Sequence, residues 1–267
     1  MSALPPLPTA PLDEPLRVVV LTCGPHGRES AAALVGLEGV EVVGVLRAPL
    51  PRPRTFVRRL KVFYRRHGPA GLARLPFRRL AGLLARGADD GAPDGPGAVP
   101  VVEIDSFVSA AGLDALRAMR PHLGVVDGTN VLKPATFAIP TFGSVNLHCG
   151  KLPEYRGAPP GFWELYNGER QVGVTIHRVT QELDGGPILA QSILPLEPAP
   201  REEPMAYLRA LLERRLRPLG ISLLREVVAS VAAGRAVERP QPPGPHETYR
   251  FPDFRTVREL RRRVRAR

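Results

Sequence analysis

The chain has few cysteines and no long apolar run. Cys23 and Cys149 are its only cysteines, so they cannot form a disulfide framework, and their spacing fits no metal site. No apolar stretch approaches the roughly 18 residues that a membrane helix needs. A basic-then-apolar signal pattern is also missing, and residues 1–15 are predicted to form a flexible, Pro-rich leader. These absences favour a cytoplasmic protein with no membrane partner and no metal.

Lysine is scarce as well, and the positive charge comes from arginine. The net charge is +11, and only 3 of the 37 basic residues are lysines. Residues 52–86 hold ten Arg, one Lys and no acidic residue. Apolar residues such as Phe56, Leu60 and Tyr64 recur there at helical spacing, which predicts a basic helical insert over residues 52–98. Two interpretations stay open: a solvated helical face, or a surface for an anionic substrate such as a phosphate, a pyrophosphate or nucleic acid.

Strand and helix patterns alternate from residue 16 onward. A strand (16–21), a helix (30–37) and a second strand (40–46) form a βαβ unit, which predicts a parallel sheet. The turn after the first strand lacks the dinucleotide fingerprint, so NAD is not supported. Further strands are predicted at 99–104, 123–126, 144–147, 171–180 and 188–196, and further helices at 106–119, 159–167 and 204–231. The predicted fold class is α/β, a Rossmann-like, mostly parallel sheet with helices on both faces and a C-terminal helical extension.

Three polar residues are candidates for chemistry. Asn146 and His148 are one residue apart at a predicted strand end, so their side chains share a face. Asp184 lies in a glycine-rich turn after the next strand, and ligands of such sheets bind outside the carboxyl ends of the strands. An amide and an imidazolium can donate to a developing oxyanion, while a carboxylate can orient the imidazole and accept a proton. The pattern fits acyl transfer, although an Asn-x-His pair by itself is more often structural.

A covalent route has no suitable nucleophile. Cys149 adjoins His148, but neighbours on a strand point to opposite faces. Ser144 lacks the glycines of a nucleophile elbow. We therefore expect direct transfer to an attacking amine.

Residues 145–189 resemble the catalytic segment of the folate-dependent formyltransferases. This family includes glycinamide ribonucleotide, methionyl-tRNA and nucleotide-sugar N-formyltransferases. Its pattern is Asn-x-His, a Leu-Pro-x-x-x-Gly loop, a helix, a Gly-Val-Thr strand and a Leu-Asp-x-Gly turn, found here at 146–148, 152–157, 159–167, 173–175 and 183–186. The resemblance extends over residues 16–196. It implies the formyltransferase fold, with a catalytic domain at 16–198 after the leader 1–15, and a C-terminal helical extension and basic tail at 199–267.

The resemblance also implies a mechanism. The donor would be 10-formyltetrahydrofolate, a co-substrate whose formyl carbon is attacked by an amine. Asn146 and His148 would stabilise the oxyanion, and Asp184 would hold His148 and help to remove the amine proton. Two short segments would hold the pterin, with Val131 and Leu132 around its ring: Asn130, Val131, Leu132, Gln181, Glu182 and Leu183. His177 matches a histidine of the glycinamide enzymes, and a structural role in the strand explains it equally well.

Departures from the family pattern bear on the acceptor. Gly150 stands where the family commonly has Ser, which removes a hydroxyl near the site. Pro25, which has no N–H, interrupts the loop that binds phosphate in the glycinamide enzymes. The residues after Asp184 are too few for the C-terminal barrel of the tRNA enzymes, so both acceptors are disfavoured. The expected acceptor is a small amine, with or without a phosphate, such as an amino sugar nucleotide or an intermediate of a specialised metabolite.

Other functions stay open at this point. One is a glycinamide ribonucleotide formyltransferase, and another is a formyltetrahydrofolate deformylase, which passes the formyl group to water. A third is a basic protein without catalytic activity that binds nucleic acid, which the presence of Asn146, His148 and Asp184 disfavours. A homodimer also stays open.

Overall fold

A computed structural model describes residues 4–24, 26–50, 61, 63–65, 68–69, 99–201, 203–244 and 246–266. The predicted basic insert, residues 52–98, therefore lies almost entirely outside the described residues. The strands are β1 Leu16–Thr22, β2 Val40–Arg47, β3 Val101–Glu103, β4 Leu123–Val126, β5 Ser144–His148, β6 Arg156–Gly157, β7 Gln171–Arg178, β8 Ile188–Pro195 and β9 Thr248–Tyr249. The helices are α1 His26–Leu34, α2 Ala110–Ala118, α3 Pro134–Phe137, α4 Phe162–Asn167, α5 Pro204–Leu211, α6 Arg217–Ala232 and α7 Phe254–Ala266.

The described strands form a large sheet and a small one. The large sheet has seven strands in the order β3-β2-β1-β4-β5-β7-β8. The first five strands in this order are parallel to one another. Strand β7 pairs antiparallel with β5, and β8 pairs antiparallel with β7. The second sheet pairs only β6 with β9. The predicted α/β fold with a mostly parallel sheet is confirmed.

Apolar side chains of β1 alternate between the two faces of the sheet. Val18 and Val20 belong to the larger core, which α1 and α6 cover. Val19 and Leu21 belong to a second core on the other face, together with Leu116 of α2. Each such side chain contributes about 1.5–3 kcal/mol when it is removed from water. Helices therefore cover both faces, as predicted for a Rossmann-like sheet.

The long helix predicted at 204–231 is interrupted. Helices α5 and α6 are joined by a π-helical turn, Leu212–Leu216. Pro218 follows this turn in the first positions of α6 and has no N–H to donate to the preceding turn. The hydrogen-bond ladder widens there, as π-helical turns do. Arg217, the first residue of α6, is thereby set beside the carboxyl edge of the sheet.

Two residues of the predicted leader, Pro5 and Leu7, contact the rest of the fold. Leu7 is buried. The Pro5 carbonyl accepts a hydrogen bond of 2.8 Å from the guanidinium of Arg178, a side chain that is fully buried. The same guanidinium donates to the Phe142 carbonyl at 2.7 Å and pairs with Glu238. A buried guanidinium needs several acceptors, and the leader supplies one of them.

Among the residues that the structure describes, no helix is long and apolar enough to cross a bilayer.

The Arg178 network predicts a large loss of stability in Arg178→Ala. Truncation leaves the Glu238 carboxylate and two carbonyls without their donor, and breaking a buried pair costs about 3–5 kcal/mol. Urea unfolding would measure the change. Arg117→Ala removes an exposed pair with Asp114 and is expected to cost less than about 1 kcal/mol. Equal effects of the two substitutions would contradict this account.

Candidate active site

The predicted site residues surround one cavity at the carboxyl edge of the parallel strands. The cavity has a volume of about 510 Å³. Asn146, His148 and Asp184 all line it. Five of the six residues predicted for the pterin line it as well: Asn130, Val131, Leu132, Glu182 and Leu183. The sixth, Gln181, is exposed and is not among the cavity residues in the described part of the chain.

The strand register brings His177 to Asn146. Strands β5 and β7 are antiparallel, and these two residues are direct partners across the pair. Nδ2 of Asn146 lies 3.1 Å from Nε2 of His177. The Arg178 carbonyl can only accept, so the hydrogen bond of 2.8 Å to it places the proton of a neutral His177 on Nδ1. The Asn146 amide then donates one hydrogen to His177 and keeps the second for a ligand.

His148 is buried and is held by one backbone carbonyl. Its Nε2–H donates to the Tyr155 carbonyl at 2.8 Å. Burial lowers the pKa of His148, and the Asp184 carboxylate offsets only part of this effect. The ring is therefore neutral at pH 7, and its unprotonated Nδ1 lies 3.6 Å from Oδ2 of Asp184. This arrangement can accept a proton at Nδ1 and pair the resulting imidazolium with a carboxylate.

Asp184 is a fixed anion. Its φ of +50° places it in the left-handed region, at the turn before β8. Oδ2 accepts a hydrogen bond of 2.8 Å from the Gly157 N–H, and Oδ1 lies 3.5 Å from Nε2 of His177. Burial alone would raise the pKa of Asp184, but His148, His177 and the Gly157 N–H outweigh it and lower that pKa to about 2.

Two glycines leave room for these contacts. A Cβ on Gly150 would overlap with Nε2 of His148 and the Tyr155 carbonyl oxygen. A side chain at position 150 would therefore disrupt the bond that holds His148. Gly157 has a φ of +93°, and a Cβ there would collide with the Tyr249 carbonyl of β9.

Cys149 also lines the cavity but is not reactive. Burial raises the pKa of its thiol to about 12. The thiol is therefore protonated at neutral pH and is a poor nucleophile.

Part of the cavity wall is formed by residues that the sequence motifs do not indicate. Nη1 of Arg217 bonds both carboxylate oxygens of Asp127, at 2.8 and 2.9 Å, and Nη2 bonds Glu29 at 2.7 Å. The Ser30 hydroxyl donates to Asp127 at 2.6 Å. Asp127 directly follows the end of β4, and this position is the only local feature of the sequence that could mark it as a site residue. Its partner lies 90 residues away, which no periodicity reveals.

The C-terminal segment contributes to the wall too. Tyr249, Arg250 and Phe251 line the cavity. Phe251 is 69% exposed, which is unusual for a phenylalanine. Within the described residues, no group of three or more His, Cys, Asp and Glu side chains could hold a metal ion.

Comparison with known proteins gives a family match. Residues 103–215 match the family model described as formyl transferase. The methionyl-tRNA formyltransferase of Roseiflexus sp. (strain RS-1) is 36% identical over 144 residues, which are 54% of this chain and 42% of that protein. The chain therefore spans less than half the length of this relative.

Solved structures share the fold at low sequence identity. Glycinamide ribonucleotide transformylase 1 from Symbiobacterium toebii has a TM-score of 0.55 at 20% identity, covering 86% of this chain and 96% of that one. An N-formyltransferase from Helicobacter canadensis, solved in complex with folinic acid and dTDP-3-aminofucose, has a TM-score of 0.53 at 11% identity, covering 88% and 71%.

Gly157→Ala is expected to destabilise the protein more than a glycine replacement at an open position. The new methyl group would displace Tyr249 and pull the N–H of residue 157 away from Asp184. Gly36 has a φ of +79° and open space around its Cα, so Gly36→Ala adds only the left-handed strain, about 1–2 kcal/mol. Urea unfolding of both variants would measure the difference. Equal losses would show that the collision with β9 is not important.

Proposed function

We propose that this chain, whose segment 103–215 matches the formyl transferase family model, moves a formyl group from a folate carrier to the amine of a small acceptor. The observation that carries the proposal is the convergence of Asn146, His148 and Asp184 on one cavity. An amide donor, a neutral imidazole and a fixed carboxylate are the groups that acyl transfer to an amine requires. The family match supports the reaction class.

The proposed donor is 10-formyltetrahydrofolate, which supplies a formyl carbon bound to N10. The residues around the cavity fit a reduced pterin. Val126, Leu132 and Val179 line the cavity with apolar surface, and the segment 127–132 brings backbone polar groups to it. A volume of about 510 Å³ is within the range of small-molecule sites. The Helicobacter canadensis enzyme, which has the same fold, was solved with folinic acid.

The acceptor amine attacks the formyl carbon directly. A C–N bond forms, and the carbonyl oxygen becomes an oxyanion. The second amide hydrogen of Asn146 donates to that oxygen, while the first stays on His177. Because His177 fixes the amide before the reaction, the donor does not reorganise as charge develops.

The amine proton passes to His148. Its neutral Nδ1 accepts the proton, and the imidazolium then pairs with Asp184 across 3.6 Å. Collapse of the tetrahedral intermediate breaks the bond to N10, and the same proton moves to that nitrogen. The products are a formamide and tetrahydrofolate. Asp184 stays ionised throughout because its pKa is about 2, so its role is electrostatic.

An amino sugar carried on a nucleotide is the acceptor that the cavity rim favours. Phe251 offers a flat apolar face there, and the exposed Arg250 offers a cation for a phosphate. Arg217 is less suited to a phosphate because Asp127 and Glu29 already neutralise it. The predicted pyrophosphate surface at 52–86 lies outside the described residues, apart from a few positions.

The catalytic domain 16–198 and the extension 199–267 are proposed to act together. Helix α6 packs on β5, β7 and β8, and β9 pairs with β6 beside the cavity. The extension thus covers the core and supplies the rim that faces the acceptor.

Asn146→Ala, His148→Ala and Asp184→Ala are each expected to lower turnover at least about 100-fold, the usual scale for one oxyanion or acid–base group. Release of tetrahydrofolate with a panel of amines, including nucleotide-linked amino sugars, would measure it. Cys149→Ala is the control on the cavity wall, with an expected change of less than about threefold.

Folded variants with unchanged turnover at all three positions would reject this mechanism. Formate release without any amine would indicate a deformylase instead. Formylation of methionyl-tRNA, but of no small amine, would reject the proposed acceptor.

A further inference from the structure

A second, much smaller chamber adjoins the catalytic cavity. Its volume is about 10 Å³, which is about the room that one water molecule occupies. Cys149, Gly157, Ala158 and Tyr249 line both spaces. Glu164 and Arg156 line only the chamber, and neither has a part in the mechanism above.

Glu164 brings an acceptor without a partner to this chamber. It lies on α4, and the residue is only 2% exposed. Its Oε1 has no hydrogen-bond partner among the residues that the structure describes. A buried polar atom in this condition is rare and costly in a folded protein.

Arg156 brings a donor without a partner. The residue is 4% exposed, and its two terminal nitrogens are occupied, Nη1 by Glu182 and Nη2 by Gln241 at 2.7 Å. Its Nε–H has no partner within the described part of the chain. One water molecule could accept from this N–H and donate to Oε1 of Glu164, which would satisfy both groups.

The loop at residues 155–158 forms a wall of the chamber. This loop also holds the two central side chains of the site. The Tyr155 carbonyl accepts from Nε2 of His148, and the Gly157 N–H donates to Asp184, both at 2.8 Å. Any group that braces the loop from the chamber side therefore fixes His148 and Asp184 as well.

We propose that Glu164 and Arg156 bind one water molecule in this chamber, and that the water braces loop 155–158, which makes Glu164 a positioning residue for His148 and Asp184. The kinetic part rests on the proposed formyl transfer, whereas the water site does not. Glu164 touches neither substrate, and its effect passes through the loop.

The surroundings of Glu164 also set its charge. The titratable and charged groups near it are Glu169 beyond its own helix, Cys149 after β5, Tyr155 and Arg156 in the loop and β6, and Tyr249 in β9. Burial raises the pKa of Glu164 from 4.5 to about 7, and Glu169 acts in the same direction. The unfolded chain then loses this proton near pH 4.5 and the folded chain near pH 7. Stability is therefore expected to fall as the pH rises through this window.

Two substitutions test the proposal. Glu164→Gln keeps the shape and an amide oxygen that can accept from the water, but it cannot ionise. Glu164→Leu has a similar volume and no polar atom. We expect kcat within about threefold of the unsubstituted protein for the Gln variant and a loss of about tenfold or more for the Leu variant, because the loop loses its brace. KM for the folate donor should change less than kcat, since Glu182 is the one proposed pterin residue joined to the chamber wall, through its pair with Arg156.

Two further readouts do not depend on activity. High-resolution crystal structures should show a water within hydrogen-bond distance of Arg156 Nε and of residue 164 in the unsubstituted protein and in Glu164→Gln, but not in Glu164→Leu. Urea unfolding from pH 4 to pH 8 should show the loss of stability in the unsubstituted protein and a flatter profile in Glu164→Gln. Glu154→Gln, one residue before the loop and paired with Lys151 outside the chamber, should match the unsubstituted protein in every assay.

The outcomes separate the two proposals. A chamber without an ordered water, a water that persists in Glu164→Leu, or unchanged kcat in a folded Glu164→Leu overturns the positioning role. If the unsubstituted protein formylates no amine, the proposed function fails, and the water and the pH profile still decide whether the chamber site exists. If Glu164→Leu does not fold, the unsubstituted protein and Glu164→Gln decide the same question.

Discussion

Two backbone groups in one short loop hold the candidate site in place. The Tyr155 carbonyl accepts from Nε2 of His148, and the Gly157 N–H donates to Asp184. His148 ends β5 and Asp184 lies in the turn before β8, so the loop joins two segments that are distant in the sequence. Their positions depend in turn on β9, which pairs with the loop at β6. Site geometry is therefore maintained by backbone contacts of the loop, and these contacts require glycine at position 157.

Two titratable groups in this small site are held in different charge states: His148 is neutral and Asp184 is ionised. Burial lowers the pKa of His148 and leaves the ring neutral, while the imidazoles and the Gly157 N–H lower the pKa of Asp184 to about 2. A neutral base beside a permanent anion is a common arrangement for proton transfer, because the anion stabilises the protonated base. The change from parallel to antiparallel pairing at β7 adds His177, which fixes the amide of Asn146. Sheet topology thus determines the chemistry that the site can perform.

The sequence predicts what depends on local pattern. A short continuous apolar run defines β4 at its observed limits, and both residues of the Asn-x-His motif line the cavity. Contacts across long separations were missed, such as Arg178 with Pro5 and Glu238, because nothing local marks the partner of a buried guanidinium. The residues of helix α7 fall in the predicted basic tail, although Val257, Leu260 and Val264 recur there at helical spacing. Its arginines obscured that stripe. The roles of the individual site residues stay predictions.

Gln241 lies beyond the predicted domain boundary at residue 198, yet its side chain contacts the candidate site. Its amide donates to the carbonyls of Asp184 and Gly186, at 2.7 and 2.8 Å, and its oxygen accepts from Arg156. One side chain of the extension thus fastens the turn that carries the carboxylate to the loop that holds it. A turn with a residue at positive φ, such as Asp184, keeps its strained backbone only where surrounding contacts enforce it. The extension therefore contributes contacts that hold the candidate site together.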